Sequence, residues 1–208
     1  MPVLQWIVVA LLAFSVVQLL GRLVHARPRV AWPYAQDGAS DIAHLVMAIA
    51  MIVMFAAPGA VPTITWRWLL GVLALVCAGW LVVAIGRKEG AVSIATAGYH
   101  TFAALTMLYA MSGSGHTASM HHHMHDESPS FAIGLPWTPL TYTLIGVFLL
   151  DAVAVIVAAG TSAMQITDIP TMPATTVPTL RATSRIGVFP HIAMDLGTVM
   201  MLVAALPG

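Results

Sequence analysis

DIAHLVMAIAMIVMF, residues 41–55, decides the fold. After Asp41 it carries one polar side chain, His44, in an otherwise apolar run, and Met47, Met51 and Met54 follow that histidine at offsets of 3, 7 and 10. At 100° per residue these positions fall at about −60°, −20° and −80° from the histidine, one narrow stripe along a helix. A histidine heading a stripe of soft sulfur side chains in an apolar helix raises the question of copper(I).

The pattern returns twice. His100 has Met107 at offset 7, and His191 has Met194 and Met201 at offsets 3 and 10. Each striped segment is preceded by a plainer apolar one, the outline of a threefold hairpin repeat. Ala103, Ala110 and Thr198 stand where a perfect repeat would place methionine. Counted from the expected helix starts, His100 lies deeper than His44 and His191, so the three imidazoles need not share one site.

Composition places these helices in a bilayer. Of 208 residues 59% are hydrophobic and 8% charged, with a mean hydropathy of +0.90, whereas an ordinary soluble domain is about 25% charged. Apolar segments cover 2–24, 40–57, 64–86, 91–112, 138–160 and 186–206. A span takes roughly 20 residues, which makes 40–57 the short one. Its limits are still well marked, by Ser40-Asp41 as an N-cap pair and by Pro58-Gly59. The expected fold is an all-α polytopic membrane helix bundle of six transmembrane helices forming one domain over 1–208.

Arg22, Arg27, Arg29, Arg87, Lys88, Arg181 and Arg185 fall in alternate connections, which leaves Arg67 as the one basic residue on the other side. The positive-inside rule then puts both termini outside and directs the second, fourth and sixth helices from cytoplasm to exterior. No basic residue precedes Ala13, so the first segment reads as an uncleaved span and not as a signal peptide. The expected location is a bacterial plasma membrane. Cys77 lies alone in an apolar helix and reads as a small buried residue.

Thioethers are neutral and soft; they favour copper(I) over magnesium, calcium or zinc and sit in lipid without the penalty of a charged group. The metal ligands expected within the membrane are His44, Met47, Met51, Met54, His100, Met107, His191, Met194 and Met201. The run HTASMHHHMHDESPS adds His116, Met120, His121, His122, His123, Met124 and His125 in a hydrated external loop, 113–135. Histidine-rich tracts bind metal, and interleaved methionine shifts the choice toward copper. A Thr/Pro-rich stretch at 161–185 reads as a cytoplasmic linker.

Three carboxylates belong with these groups. Asp151 lies mid-segment, where an acidic residue is functional by default. Asp195 is one turn beyond His191, and Asp41 is three residues before His44. Both spacings allow a carboxylate to fix an imidazole tautomer, although Asp41 also reads as a plain N-cap. Asp151 reads either as a buried partner of a neighbouring helix or as a proton relay. Tyr99, Tyr109, Trp66, Trp68, Trp80 and Trp137 read as interfacial anchors. No phosphate loop, nucleophile elbow, HExxH or CxxC motif points to an enzyme, and no basic surface points to nucleic acid.

The Met47/Met51 pair, with one turn between its sulfurs, resembles the M-x-x-x-M motif of eukaryotic high-affinity copper transporters, a likeness of chemistry and not of fold. DIAHLVMAIAMIVMF, YHTFAALTML and HIAMDLGTVMM together resemble an uncharacterised actinobacterial family of small multi-pass membrane proteins classed by an unknown-function domain. That resemblance implies that Asp41, His44, Met47, Met51, Met54, His100, Met107, His191 and Met194 are family positions, and it implies no activity. The expected function is copper(I) binding for transport, storage or delivery. Two alternatives stand beside it: a haem-binding electron-transfer protein, since His and Met are also axial haem ligands, and a non-catalytic subunit or assembly factor of a membrane complex. The lipid bilayer, the metal ion and either a second copy or a membrane-complex partner are the associations expected.

Overall fold

A computed structural model describes residues 2–25, 38–113, 138–165 and 188–206. The described residues form six helices and no strand: α1 (Pro2–His25), α2 (Gly38–Ala56), α3 (Thr63–Gly86), α4 (Ala91–Gly113), α5 (Thr138–Gln165) and α6 (Phe189–Ala204). Five of them are long and apolar enough to cross a membrane. Their outward side chains are large and apolar: Leu75, Val76, Val82 and Leu150 are all more than 60% exposed. Continuous apolar surface of this kind is unstable in water and solvated by acyl chains.

The turns are short and locally determined. Gly59 adopts a left-handed φ of 88° between α2 and α3, a conformation glycine reaches without steric cost. At the end of α3 the Glu89 amide donates to the Ala84 carbonyl and the Lys88 amide to the Ile85 carbonyl. Lys88 takes the left-handed position at φ 53°, completing a Schellman cap that turns the chain straight into α4.

Helices pair as α1/α2, α3/α4 and α5/α6, with α6 also lying on α1, and α2, α4 and α6 touch one another. The even-numbered helices therefore form an inner ring. The apolar windows of α2 and α4 are 44% buried, against 22% in α1 and α3 and 28% in α5. Small residues permit the close approach, namely Ala43, Ala48 and Ala50 on α2 and Ala97, Ala103, Ala104 and Ala110 on α4, all buried.

Three expectations need correction. The short helix is α6, with 16 residues, whereas α2 has 19. Pro190 sits in the first turn of α6, a position proline favours because no amide hydrogen is needed there. With its neighbours α1, α2, α4 and α5 around it, α6 is shielded from lipid, so its length need not match the hydrocarbon. Residues 161–165, expected in the linker, belong to α5, which continues to Gln165, and the rest of that stretch lies outside the described residues. Finally, α2 begins at Gly38, so neither Ser40 nor Asp41 is its cap.

Arg22 and Asp41 join the far ends of α1 and α2, with Nη1 and Oδ1 3.5 Å apart. At the opposite end the Gln5 amide donates to the Phe55 carbonyl at 2.5 Å, confirming that the two helices are antiparallel. Asp41 is buried. Breaking a buried ion pair costs about 3–5 kcal/mol. Arg22→Leu is therefore expected to lower the thermal midpoint clearly in detergent, and Arg22→Leu with Asp41→Leu to regain part of the loss. A single variant as stable as the parent would show that the pair contributes nothing.

Candidate metal centre within the bundle

One imidazole from each inner helix points into the middle of the ring. His44 (α2), His100 (α4) and His191 (α6) are all buried. The rings of His44 and His100 lie edge to face with centroids 4.5 Å apart, and those of His44 and His191 are 5.8 Å apart. Tyr99 fills the space between, 4.0 Å from the His191 ring and 5.6 Å from the His100 ring. The imidazoles thus share one site. Helix stagger explains this: His100 is well along α4 and His191 stands in the first turn of α6, yet the two helices are offset along the bundle axis.

Backbone carbonyls fix the tautomers. His100 Nδ1 lies 2.7 Å from the Thr96 carbonyl and His44 Nδ1 lies 2.9 Å from the Ser40 carbonyl, each one turn earlier in its own helix. A carbonyl can only accept, so both Nδ1 atoms carry hydrogen. In neutral rings the Nε2 atoms are then lone pairs. His100 Nε2 faces His44 Nδ1 at 3.0 Å, so the His44 N–H is shared between Ser40 and His100. His44 Nε2 is buried with no hydrogen-bond partner among the described residues. Anchoring one ring nitrogen on a carbonyl while the other presents a lone pair is the arrangement of metal-bound histidine.

His191 has a different environment. Its Nε2 donates to Asp151 Oδ2 of α5 at 2.7 Å. Asp195 Oδ2, one turn along α6, is 3.7 Å away and beyond hydrogen-bond reach. Tyr99 Oη donates to Asp195 Oδ1 at 2.5 Å. Asp151, His191 and Asp195 each offer a ligand atom within 4.8 Å of the others. The carboxylate that orients His191 is therefore Asp151, from a neighbouring helix, and not the expected Asp195. Similarly, Asp41 turns to Arg22, and His44 is held by the Ser40 carbonyl.

The methionine stripes face inward as well. Met47, Met51, Met107, Met194 and Met201 belong to one buried cluster that also contains Tyr99, and Met54 packs against it. Met51 reaches across to α6: a Cβ added to Gly197 would lie 2.6 Å from its sulfur. The chain belongs to the DUF5134 family. The family, described as a domain of unknown function, matches residues 36–205, which take in α2 to α6 and all three histidines. No curated protein and no solved structure matches the chain.

In this DUF5134 protein two aromatic side chains read as interfacial anchors have other places. Tyr99 is buried at the centre of the site, and Trp80 lies 5.7 Å from the His100 ring. The available signal for Tyr99 was its adjacency to His100, two turns inside α4. Trp68, 71% exposed in the first turns of α3, keeps the anchor position. Cys77 is buried, as a small apolar residue would be. His116, Met120, His121, His122, His123, Met124, His125 and Trp137 lie outside the described residues.

Tyr99→Phe removes the hydroxyl that holds Asp195 and leaves a buried carboxylate oxygen without its donor, a loss of about 1–3 kcal/mol. Thermal unfolding should show this as a lowered midpoint, with part of the deficit recovered by adding Asp195→Leu. An unchanged midpoint in the single variant would remove the Tyr99–Asp195 bond from the account of the site.

Proposed function

We propose that this DUF5134 protein is an integral membrane copper(I)-binding protein, working in copper transport, storage or delivery, with the ion held between α2, α4 and α6. The observation that carries this reading is the meeting of His44, His100 and His191 inside an apolar bundle, with His44 Nε2 a buried lone pair that has no partner among the described residues. A polar group in that condition costs about 1–3 kcal/mol unless something binds it. Copper(I) is suited to neutral imidazole and thioether ligands, which before the ion binds place no charge in the low dielectric of the bundle.

In this reading His44, His100 and His191 supply nitrogen, His100 Nε2 exchanging the His44 N–H for the ion, and Met47, Met51, Met107 and Met194 supply sulfur. Asp151 orients His191 as carboxylates commonly orient metal-bound imidazole. The basic residues of alternate connections put the histidine end of the inner helices toward the cytoplasm and the external loop, with His116 to His125, on the side where copper is first collected.

Elemental analysis of the purified protein tests this. Copper is expected in the parent, loss of the bundle-held ion in His44→Ala with Met51→Leu, and retention of that ion when 116–125 is deleted. Asp151→Asn should weaken binding about 10–100-fold. Copper undiminished in the His44/Met51 variant sinks the bundle site. A Soret band in the purified parent replaces copper with haem.

A further inference from the structure

A half-open cavity of about 640 Å³ lies where α2, α4 and α6 end and α1 and α3 begin. Its walls include Met54, Met111, Met200 and Met201, with Trp66 on one side and Gln5 on another. Methionine makes up four of the fifteen lining residues against 13 of 208 in the chain, an enrichment of about fourfold that bears on what the cavity can bind. Among the described residues no carboxylate, imidazole or thiol lines it. Hard cations, which need oxygen ligands, find little there; soft ones find sulfur.

The placement repeats from helix to helix. Met54 is ten residues beyond His44, Met111 eleven beyond His100 and Met201 ten beyond His191, so every inner helix brings a thioether to the cavity about 15 Å along its axis from its imidazole, and α6 adds a second, Met200. Met51, Met107 and Met194 occupy the buried core between the two ends. Met111 also has its carbonyl within 3.5 Å of Arg67 Nη2, which ties that end of α4 to α3.

We propose that this cavity is a second binding site, its thioethers the ligands, for a soft monovalent cation. An ion enters hydrated, exchanges water for the sulfurs of Met54, Met111, Met200 and Met201, and leans on the face of Trp66, an aromatic wall that favours a cation. The role as a port to the histidine centre rests on the copper(I) reading above; the affinity of the cavity does not.

Silver(I), a soft monovalent ion with no redox chemistry at this site, is the probe. Equilibrium dialysis with elemental analysis is run on the full chain in detergent, with the histidines and methionines of 116–125 replaced by glycine and serine in every sample. The variant Met54→Leu, Met111→Leu, Met200→Leu, Met201→Leu keeps volume and apolar character, a change the fold tolerates. It is expected to lose about one silver equivalent relative to its parent, and silver should protect Met111 and Met200 of the parent from peroxide oxidation. His44→Ala with His100→Ala should keep the cavity equivalent. Retention of that equivalent in a protein whose histidine centre holds no copper supports the cavity site while refuting the copper reading. A quadruple variant that binds silver as its parent does, or sulfurs that silver leaves unprotected, overturns the proposal.

Discussion

Three imidazoles can be kept inside an apolar bundle only if their polar atoms are satisfied there, and that requirement organises the structure. Two of the rings rest on carbonyls of their own helices, and the third on a carboxylate from α5. Because the Ser40 and Thr96 carbonyls lie one turn back, the ring planes follow the helix backbone and hardly depend on more distant packing. The three rings meet between the inner helices, and there the bundle commits itself to a polar interior among buried alanine and methionine.

The divided character of that interior follows from its acids. On the α2/α4 side two imidazoles meet, bonded to each other and to carbonyls of their own helices. On the α5/α6 side two carboxylates flank one imidazole, with a tyrosine hydroxyl on the second of them. Tyr99 touches both sides through its ring and its hydroxyl.

Much of this was legible in the sequence. Hydropathy alone marks the helices. Offsets of 3, 7 and 10 put His44, Met47, Met51 and Met54 on one face, and that face turns inward. What periodicity cannot give is displacement along the axis, since a helical repeat fixes an angle and leaves height free. His100 consequently looked too deep, and Met111 was passed over because Ala110 held the position a strict repeat would fill. Partners across helices were equally hidden. Asp195 lies at the right spacing from His191, yet the nearer oxygen comes from Asp151, forty residues earlier. Tyr99 has the composition of an interface anchor and the location of a core residue, a distinction that only packing draws.

Gly197 has a mechanical consequence. Because the Met51 sulfur lies where a Cβ at position 197 would stand, α2 and α6 meet there like a tooth in a notch, and any larger residue at 197 would push the thioether aside. Met51 shares its stripe with His44, so the notch in α6 seats the same face of α2 that carries the imidazole.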